Sequence, residues 1–232
     1  MIKIQPIVRN IVLGEPEAYF ALTNGYMNMS SYAYRVKTEV ELLTKKPVTI
    51  TSLVISLSRL KKEFQKQKPL IQDVSISSIT TKLPLSEIVY ENTKSFTEKL
   101  ESLHKNIKIS REDFFTTTLG TSELTIVCSS GIIEKIMKHF KEKPKLIIHN
   151  LSAIGISFDS KHFNTPNIIF SLLSIVAKAQ INLAEIVSTY TELILVIEEK
   201  DFGKTVSLFS EFHKKSNIQN SEKGDAKSDG DI

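Results

Sequence analysis

One pattern occurs twice in this chain, and it constrains the fold more than any other feature. Each copy reads strand, helix, two strands joined by a tight turn, then helix. The first copy covers 71–143 and the second 146–213. Each holds enough apolar residues for one small sheet, which predicts an α+β protein built from tandem βαββα modules rather than one large catalytic domain.

In the first copy, alternation at Val74 and Ile76 resumes at Ile88 and Tyr90. Pro84 lies between them and predicts a bulge or break on an edge strand. Phe96, Leu100 and Leu103 form a helical stripe. Phe115, Thr117 and Leu119 alternate, Gly120–Thr121–Ser122 turn, and Leu124, Ile126 and Cys128 alternate back. Ile132, Ile133, Ile136, Met137 and Phe140 then define a helix. In the second copy, Ile154, Ile156 and Phe158 share a strand face, and a loop runs from Asp159 to Pro166. Pro166 suits the first turn of a helix carrying Ile168, Ile169, Leu172, Leu173, Val176 and Ala179. Strands over Leu183–Thr189 and Leu193–Ile197 follow, and Asp201 can cap a last helix with Phe202, Val206 and Phe209. The polar, aperiodic segment 216–232 is expected to be a disordered tail.

Residues 1–68 predict an all-helical domain. Ile4, Ile7, Val8, Ile11 and Val12 recur at helical spacing, with Pro6 harmless in the first turn. Gly14 and Pro16 separate this helix from a short second one, and Asn24–Gly25 stop that. Ser30 or Ser31 can cap a third helix, and Thr49 or Thr51 a fourth. The fourth carries Leu53, Val54, Leu57, Leu60 and Phe64 on one stripe, with Ser56, Arg59, Lys61, Lys62 and Lys66 opposite.

Composition excludes several chemistries. A single cysteine, Cys128, rules out an internal disulfide and any multi-Cys zinc site, and fits a reducing compartment. Its alternation with Leu124 and Ile126 predicts a buried, inert thiol. The five histidines, at 104, 139, 149, 162 and 213, show no metal-ligand spacing. Glu192, Glu198, Glu199 and Lys200 read as solvated charges rather than an acid–base pair. Neither Gly120 nor Gly203 belongs to a phosphate loop, so a kinase catalytic domain is not expected. No apolar run is long enough to span a membrane, and the start, with Lys3 and Arg9, has no signal-peptide layout. A cytoplasmic protein without cofactor, metal or enzymatic activity is the expectation.

The segment from Ile154 to Phe209 resembles an ACT domain of the aspartokinase type. That pattern has an apolar strand, a loop ending Thr-Pro-Gly, a helix, and an Ala-x-x-Gly-Ile-Asn-Ile turn into a strand ending in Ser or Thr. An acidic residue opens its last helix. Thr165, Pro166, Ala177, Ile181, Asn182, Leu183, Ser188, Thr189 and Asp201 occupy those places. Asn167 and Gln180 stand where the pattern has Gly. The front of the chain, with Gly25, Asn28, Ser30 or Ser31 and Ala33, is similar to a Gly-x-x-Asn-x-Ser-x-x-Ala stretch of bacterial and archaeal ACT-domain proteins. The resemblance implies ferredoxin-like βαββα(β) modules, a degenerate first copy that serves as structural partner, and sheets paired edge to edge in a homo-oligomer. It also implies an amino-acid effector at an interface between modules or subunits, regulating a partner enzyme. Asn164, Thr165, Pro166, Asn167, Ile168, Ile181 and Asn182 are then the candidate ligand contacts.

Backbone N–H groups at the helix start favour an effector carboxylate, and the Asn182 amide can fix a polar end. The plain alternatives are a strand–helix connection at Thr165–Asn167, a turn residue at Asn182 and ordinary strand residues at Ser188 and Thr189. For the front helices the alternative is a helix-turn-helix on DNA, using Lys45, Lys46, Arg59, Lys61 and Lys62. Lysines at a helix C-terminus also complement the macrodipole without any partner.

Overall fold

The computed structural model describes residues 3–67 and 69–214, without the side chains at 94–97 and 104. The expected tail at 216–232, Lys68 and the side chains of Phe96 and His104 lie outside the described residues. The chain divides into two compact units, Met1–Gln72 and Asp73–Ile232.

The first unit is helical: α1 (Ile4–Gly14), α2 (Pro16–Thr23), α3 (Met29–Thr44) and α4 (Ile50–Phe64). Asn28 caps α3, its side-chain oxygen accepting from the Ser31 N–H at 3.0 Å. The cap therefore precedes the serines proposed for it, which fall inside the first turn where no such geometry exists. Thr49 caps α4 through the Ser52 N–H at 3.2 Å. Val8, Val12, Leu22, Val36, Val40, Leu53, Leu57, Leu60 and Phe64 form the core. Each such large side chain contributes about 1.5–3 kcal/mol on burial. Ser56, expected on the polar face, is buried and donates to the Ser52 carbonyl at 3.0 Å. That back-bond satisfies its hydroxyl within the helix, so burial is cheap.

The second unit is one six-stranded antiparallel sheet in the order β2-β3-β1-β4-β6-β5. Its strands are β1 (Ile76–Glu91), β2 (Phe115–Leu119), β3 (Glu123–Ser129), β4 (Leu146–Phe158), β5 (Leu183–Ser188) and β6 (Glu192–Glu198). The helices are α5 (Lys94–Asn106), α6 (Ile133–Phe140), α7 (Ile168–Lys178) and α8 over 202–214. Strand, helix, hairpin, helix thus occurs twice, once on each side of the central β1–β4 ladder. That ladder runs from Ile76 opposite Phe158 to Val89 opposite Leu146.

Pro84 follows a cis Leu83–Pro84 bond in β1, which is a central strand and not an edge. The expected bulge is present, but on a central strand rather than an edge, and for a clear reason. The β1–β4 register shifts between Lys82 and Leu85, and pairing with β3 begins only at Leu85. Pro84 therefore falls in a gap of both ladders, where its missing N–H removes no bond.

Both halves cover the same face of the sheet with helices. Val74, Ile76, Ile154, Ile156, Phe158, Ile168, Leu172, Val176, Leu193, Leu195, Ile197 and Phe209 pack in one core. Ile88, Tyr90, Leu103, Leu124, Ile126, Cys128, Ile136 and Phe140 pack in the other. Val74 and Ile76, at the start of β1, belong to the core of the second half, so β1 is shared. A smaller cluster on the opposite face joins Leu85, Val127, Leu151, Ala153 and Val196. Among the described residues, no helix is long and apolar enough to cross a membrane.

Candidate functional site

The halves differ most in the connection from their first strand to their first helix. In the first half only Asn92 and Thr93 separate β1 from α5. In the second, residues 159–167 intervene between β4 and α7. This loop is built from local bonds. Asp159 accepts from the Lys161 N–H at 2.9 Å and pairs with Lys161 Nζ at 3.2 Å, closing a short 3₁₀ turn over Ser160–His162. The Lys161 N–H, chiefly, holds the Asp159 carboxyl below its usual range. The Thr165 N–H donates to the His162 carbonyl at 2.8 Å. His162 Nε2 accepts from the Ser75 N–H at 3.4 Å, which ties the loop to the start of β1. Burial, supported by the Lys161 charge, lowers the His162 pKa and favours the neutral ring.

Asn167 has φ 69° and ψ 10°, in the left-handed region. A proline followed by such a residue is the composition of a type II turn. Helix α7 accordingly starts at Ile168, and Pro166 lies outside it rather than in its first turn. A left-handed residue cannot continue into a right-handed helix, so Asn167 sets the boundary. The first backbone bond of α7 runs from the Ser171 N–H to the Asn167 carbonyl at 2.9 Å. The amides of Ile168, Ile169 and Phe170 precede that ladder and face the end of the helix.

A cleft of about 400 Å³ opens here. Phe158 closes it from the end of β4, and His162, Phe163, Thr165 and Asn167 from the loop. Ile168, Ile169 and Phe170 contribute from the first turn of α7, and Ser188, Thr189 and Tyr190 from the end of β5 and its turn. The rings of Phe163 and Tyr190 lie 4.6 Å apart at 39°. Ser188 and Thr189, read as plain strand residues, thus share a wall with Thr165. Asn164 and Pro166 are exposed in the same loop but outside the wall. Phe163, Phe170 and Tyr190 were not legible as site residues. Phe170 gives a signal in hindsight, because it falls off the buried stripe of Ile168, Leu172 and Val176.

Ile181 and Asn182 are not brought to this cleft. They follow the C-terminus of α7, about 16 Å of helix from Ile168 at 1.5 Å per residue. The Ile181 N–H reaches the Val176 carbonyl and the Gln180 N–H the Ala177 carbonyl, both at 3.1 Å, around Gln180 at φ 56°. This is a Schellman cap with Gln180 at the position that glycine usually takes. Ile181 is a core residue at 7 % exposure. Asn182 lines a different cleft, of about 440 Å³, with Asn150, Leu151, Glu198 and Lys200. The two candidate segments stand at opposite ends of one helix, as the helix expected over residues 168–179 already implies.

The basic residues of the first unit are also separated. Lys45 ends α3 in a left-handed conformation and Lys46 follows it, beside the N-terminus of α4. Arg59, Lys61 and Lys62 sit in the last turns of α4, about 14–18 Å further along its axis. Lys61 lies over the α2–α3 turn, its Nζ 3.0 Å from where a β-carbon on Gly25 would stand. They form no single basic stripe.

Elsewhere, Cys128 is fully buried and its thiol pKa is pushed up to about 12 by burial, then by Asp113. Lys200 pairs with Glu198 at 2.6 Å. His149 is exposed, with Nδ1 3.1 Å from Ser86 Oγ, itself 2.9 Å from Ser130 Oγ. Among the described residues, no three of His, Cys, Asp and Glu gather as metal ligands.

No protein-family model matches the chain, and no curated protein is similar to it in sequence. Its fold is similar to that of solved aspartate kinases. The aspartate kinase of Clostridium acetobutylicum aligns with 62% of this chain at a TM-score of 0.51 and 19% identity, over 36% of that enzyme. The aspartate kinase of Synechocystis aligns with 64% at 0.50 and 9% identity, over 29% of its own chain. The regulatory subunit of aspartate kinase from Thermus thermophilus aligns with 59% at 0.48 and 8% identity, over 97% of that subunit. The chain thus spans about a third of the length of the two aspartate kinases, and what it shares with them is a fold.

Proposed function

We propose that this chain is a non-catalytic regulatory protein that binds an amino-acid effector beside loop 159–167. Its organisation is a helical domain at 1–68, ACT-type modules at 71–143 and 146–213, and a tail at 216–232. The observation that carries this reading is the pair of left-handed residues bounding α7. Asn167 and Gln180 keep glycine-like backbone at the two places where the resembled pattern has Gly, which supports the resemblance at both ends of α7. The cleft adjoins the first of them. The amides of Ile168, Ile169 and Phe170 suit an effector carboxylate, and the side chains of Thr165 and Asn167 suit its ammonium group. Asn164 and Pro166 shape the loop without touching the ligand.

Effector binding would favour one arrangement of the paired modules, which a partner enzyme reads. Among the described residues, the outer edges of β2 and β5 pair with no further strand and suit assembly into a homo-oligomer. The aspartate kinase of Clostridium acetobutylicum, whose fold is similar, is described as an allosteric enzyme. The test is thermal unfolding of the full chain with each of the twenty amino acids. An effector at a hundred times its Kd stabilises by about 2.7 kcal/mol. A melting temperature unmoved by all twenty at millimolar concentration sinks the reading.

A further inference from the structure

We infer that the effector of this cleft carries a large apolar side chain, aromatic or branched, and no side-chain charge. The inference rests on the reading of the cleft as an amino-acid site. Phe163, Ile169, Phe170 and Tyr190 are 58%, 43%, 44% and 60% exposed, and all four face one cleft. Single exposed apolar side chains are ordinary, but four around one opening form a patch that keeps water at a cost. Phe163 and Tyr190 are already in ring contact, which makes them one firm wall rather than two mobile side chains. Phe158 and Ile168 close the floor, at 7% and 5% exposure. The volume of about 400 Å³ falls within the range of roughly 300–1,000 Å³ for small-molecule pockets.

Charge completes the argument. Among the described residues, no Asp, Glu, Lys or Arg lines the cleft. Its polar side-chain groups are the hydroxyls of Thr165, Ser188, Thr189 and Tyr190, the Asn167 amide and the His162 ring, whose Nε2 already accepts from Ser75. The nearest charges in the loop, Asp159 and Lys161, are paired with each other at 3.2 Å. A side-chain ammonium or carboxylate entering here would meet no counter-charge in the described walls, which is unfavourable. An apolar side chain loses nothing and covers the patch. The α-amino and α-carboxyl groups, common to all amino acids, remain for the hydroxyls and the amides of α7.

Isothermal titration of the full chain with L-Phe, L-Tyr, L-Leu, L-Ile, L-Lys, L-Arg, L-Asp and L-Glu tests this. The expected result is at least one apolar member bound tenfold or more tighter than every charged one. Ile169→Asp, at an exposed helix start that favours an acid, should weaken the apolar ligand tenfold and bring lysine within reach of it. Tyr190→Ala, at 60% exposure, should weaken the apolar ligand tenfold and, through loss of the Phe163 ring contact, lower the melting temperature by only about 1–5 °C. A charged amino acid bound as tightly as the best apolar one overturns the inference and leaves the amino-acid reading intact. So does apolar binding that neither variant alters. Absence of heat with all eight ligands and of any shift with the twenty overturns both.

Discussion

Asn167 and Gln180 close the two ends of α7 in the same left-handed conformation, at φ 69° and φ 56°. They do so at unequal cost. Asn tolerates this region because its short amide bonds locally, whereas Gln carries the full β-carbon penalty of about 1–2 kcal/mol. Gln180→Gly is therefore expected to stabilise the protein by about 1 kcal/mol, despite the extra freedom of Gly in the unfolded chain. Asn167→Gly should change stability by only a few tenths, and Asn167→Val should destabilise by about 1–2 kcal/mol. Urea unfolding of the three variants checks the order. A destabilised Gln180→Gly variant would contradict the assignment of that position as a helix cap.

Glu87 presents a different conflict. It lies on the helix-free face of β1 among Leu85, Val89 and Val127, at 6% exposure. Among the described residues its buried Oε2 has no hydrogen-bond partner. Burial first, and the Glu185 charge second, push its pKa up from 4.5 to about 6. With the folded value above the unfolded one, the native state binds the extra proton between those limits. The carboxyl costs least below pH 4.5, and stability falls as pH rises through about 6, by at most about 2 kcal/mol. Glu87→Gln should flatten that segment of the profile and raise stability at pH 7. Chemical denaturation of both proteins from pH 4 to 8 measures it, and parallel curves would rule out Glu87 as the source.

Gly155, on the helix-free face of β4, is fixed by a close approach rather than by φ. A β-carbon there would meet Thr80 Oγ1 at 2.4 Å and Glu192 Oε1 at 2.6 Å. Those two atoms face each other across the glycine at 3.5 Å. Glu192 can swing aside, but the Thr80 hydroxyl sits on a β-branched residue with few rotamers. Gly155→Ala should cost about 1–3 kcal/mol, and Thr80→Ala in the same chain should recover most of it. Thermal melts of the single and double variants give the coupling. Equal losses with and without Thr80 would show that the clash lies elsewhere.

Much of this fold was legible because one face of the sheet is covered by helices. Leu124, Ile126 and Cys128 alternate inward, and that period identifies their strand without any partner being known, whereas Leu193–Ile197 is legible as a fully apolar run buried on both faces. What spacing could not report is proximity. Tyr190 meets Phe163 only because the β5–β6 turn folds back over the loop. Pro84 marked the irregularity but not the strand's place in the sheet, for a related reason. Proline usually marks an edge, yet a register shift gives a central strand the same tolerance.

Cys128 turns the buried face of the first half into a reporter. It pairs with Phe115 on β2 and Ser86 on β1, and its side chain packs with Ile88, Ile126 and Ile136 at no measurable exposure. The thiolate is the reactive form, and a thiol pKa of about 12 leaves almost none of it at neutral pH. Modification in the native state therefore has to wait for the β2–β3–β1 region to open. Labelling by a disulfide reagent at pH 8 should be slow without denaturant and rapid in urea above the unfolding midpoint. Rates that rise with urea well below the midpoint would mark this half as opening separately from the rest of the sheet. A native thiol that reacts as fast as a free cysteine would contradict its burial.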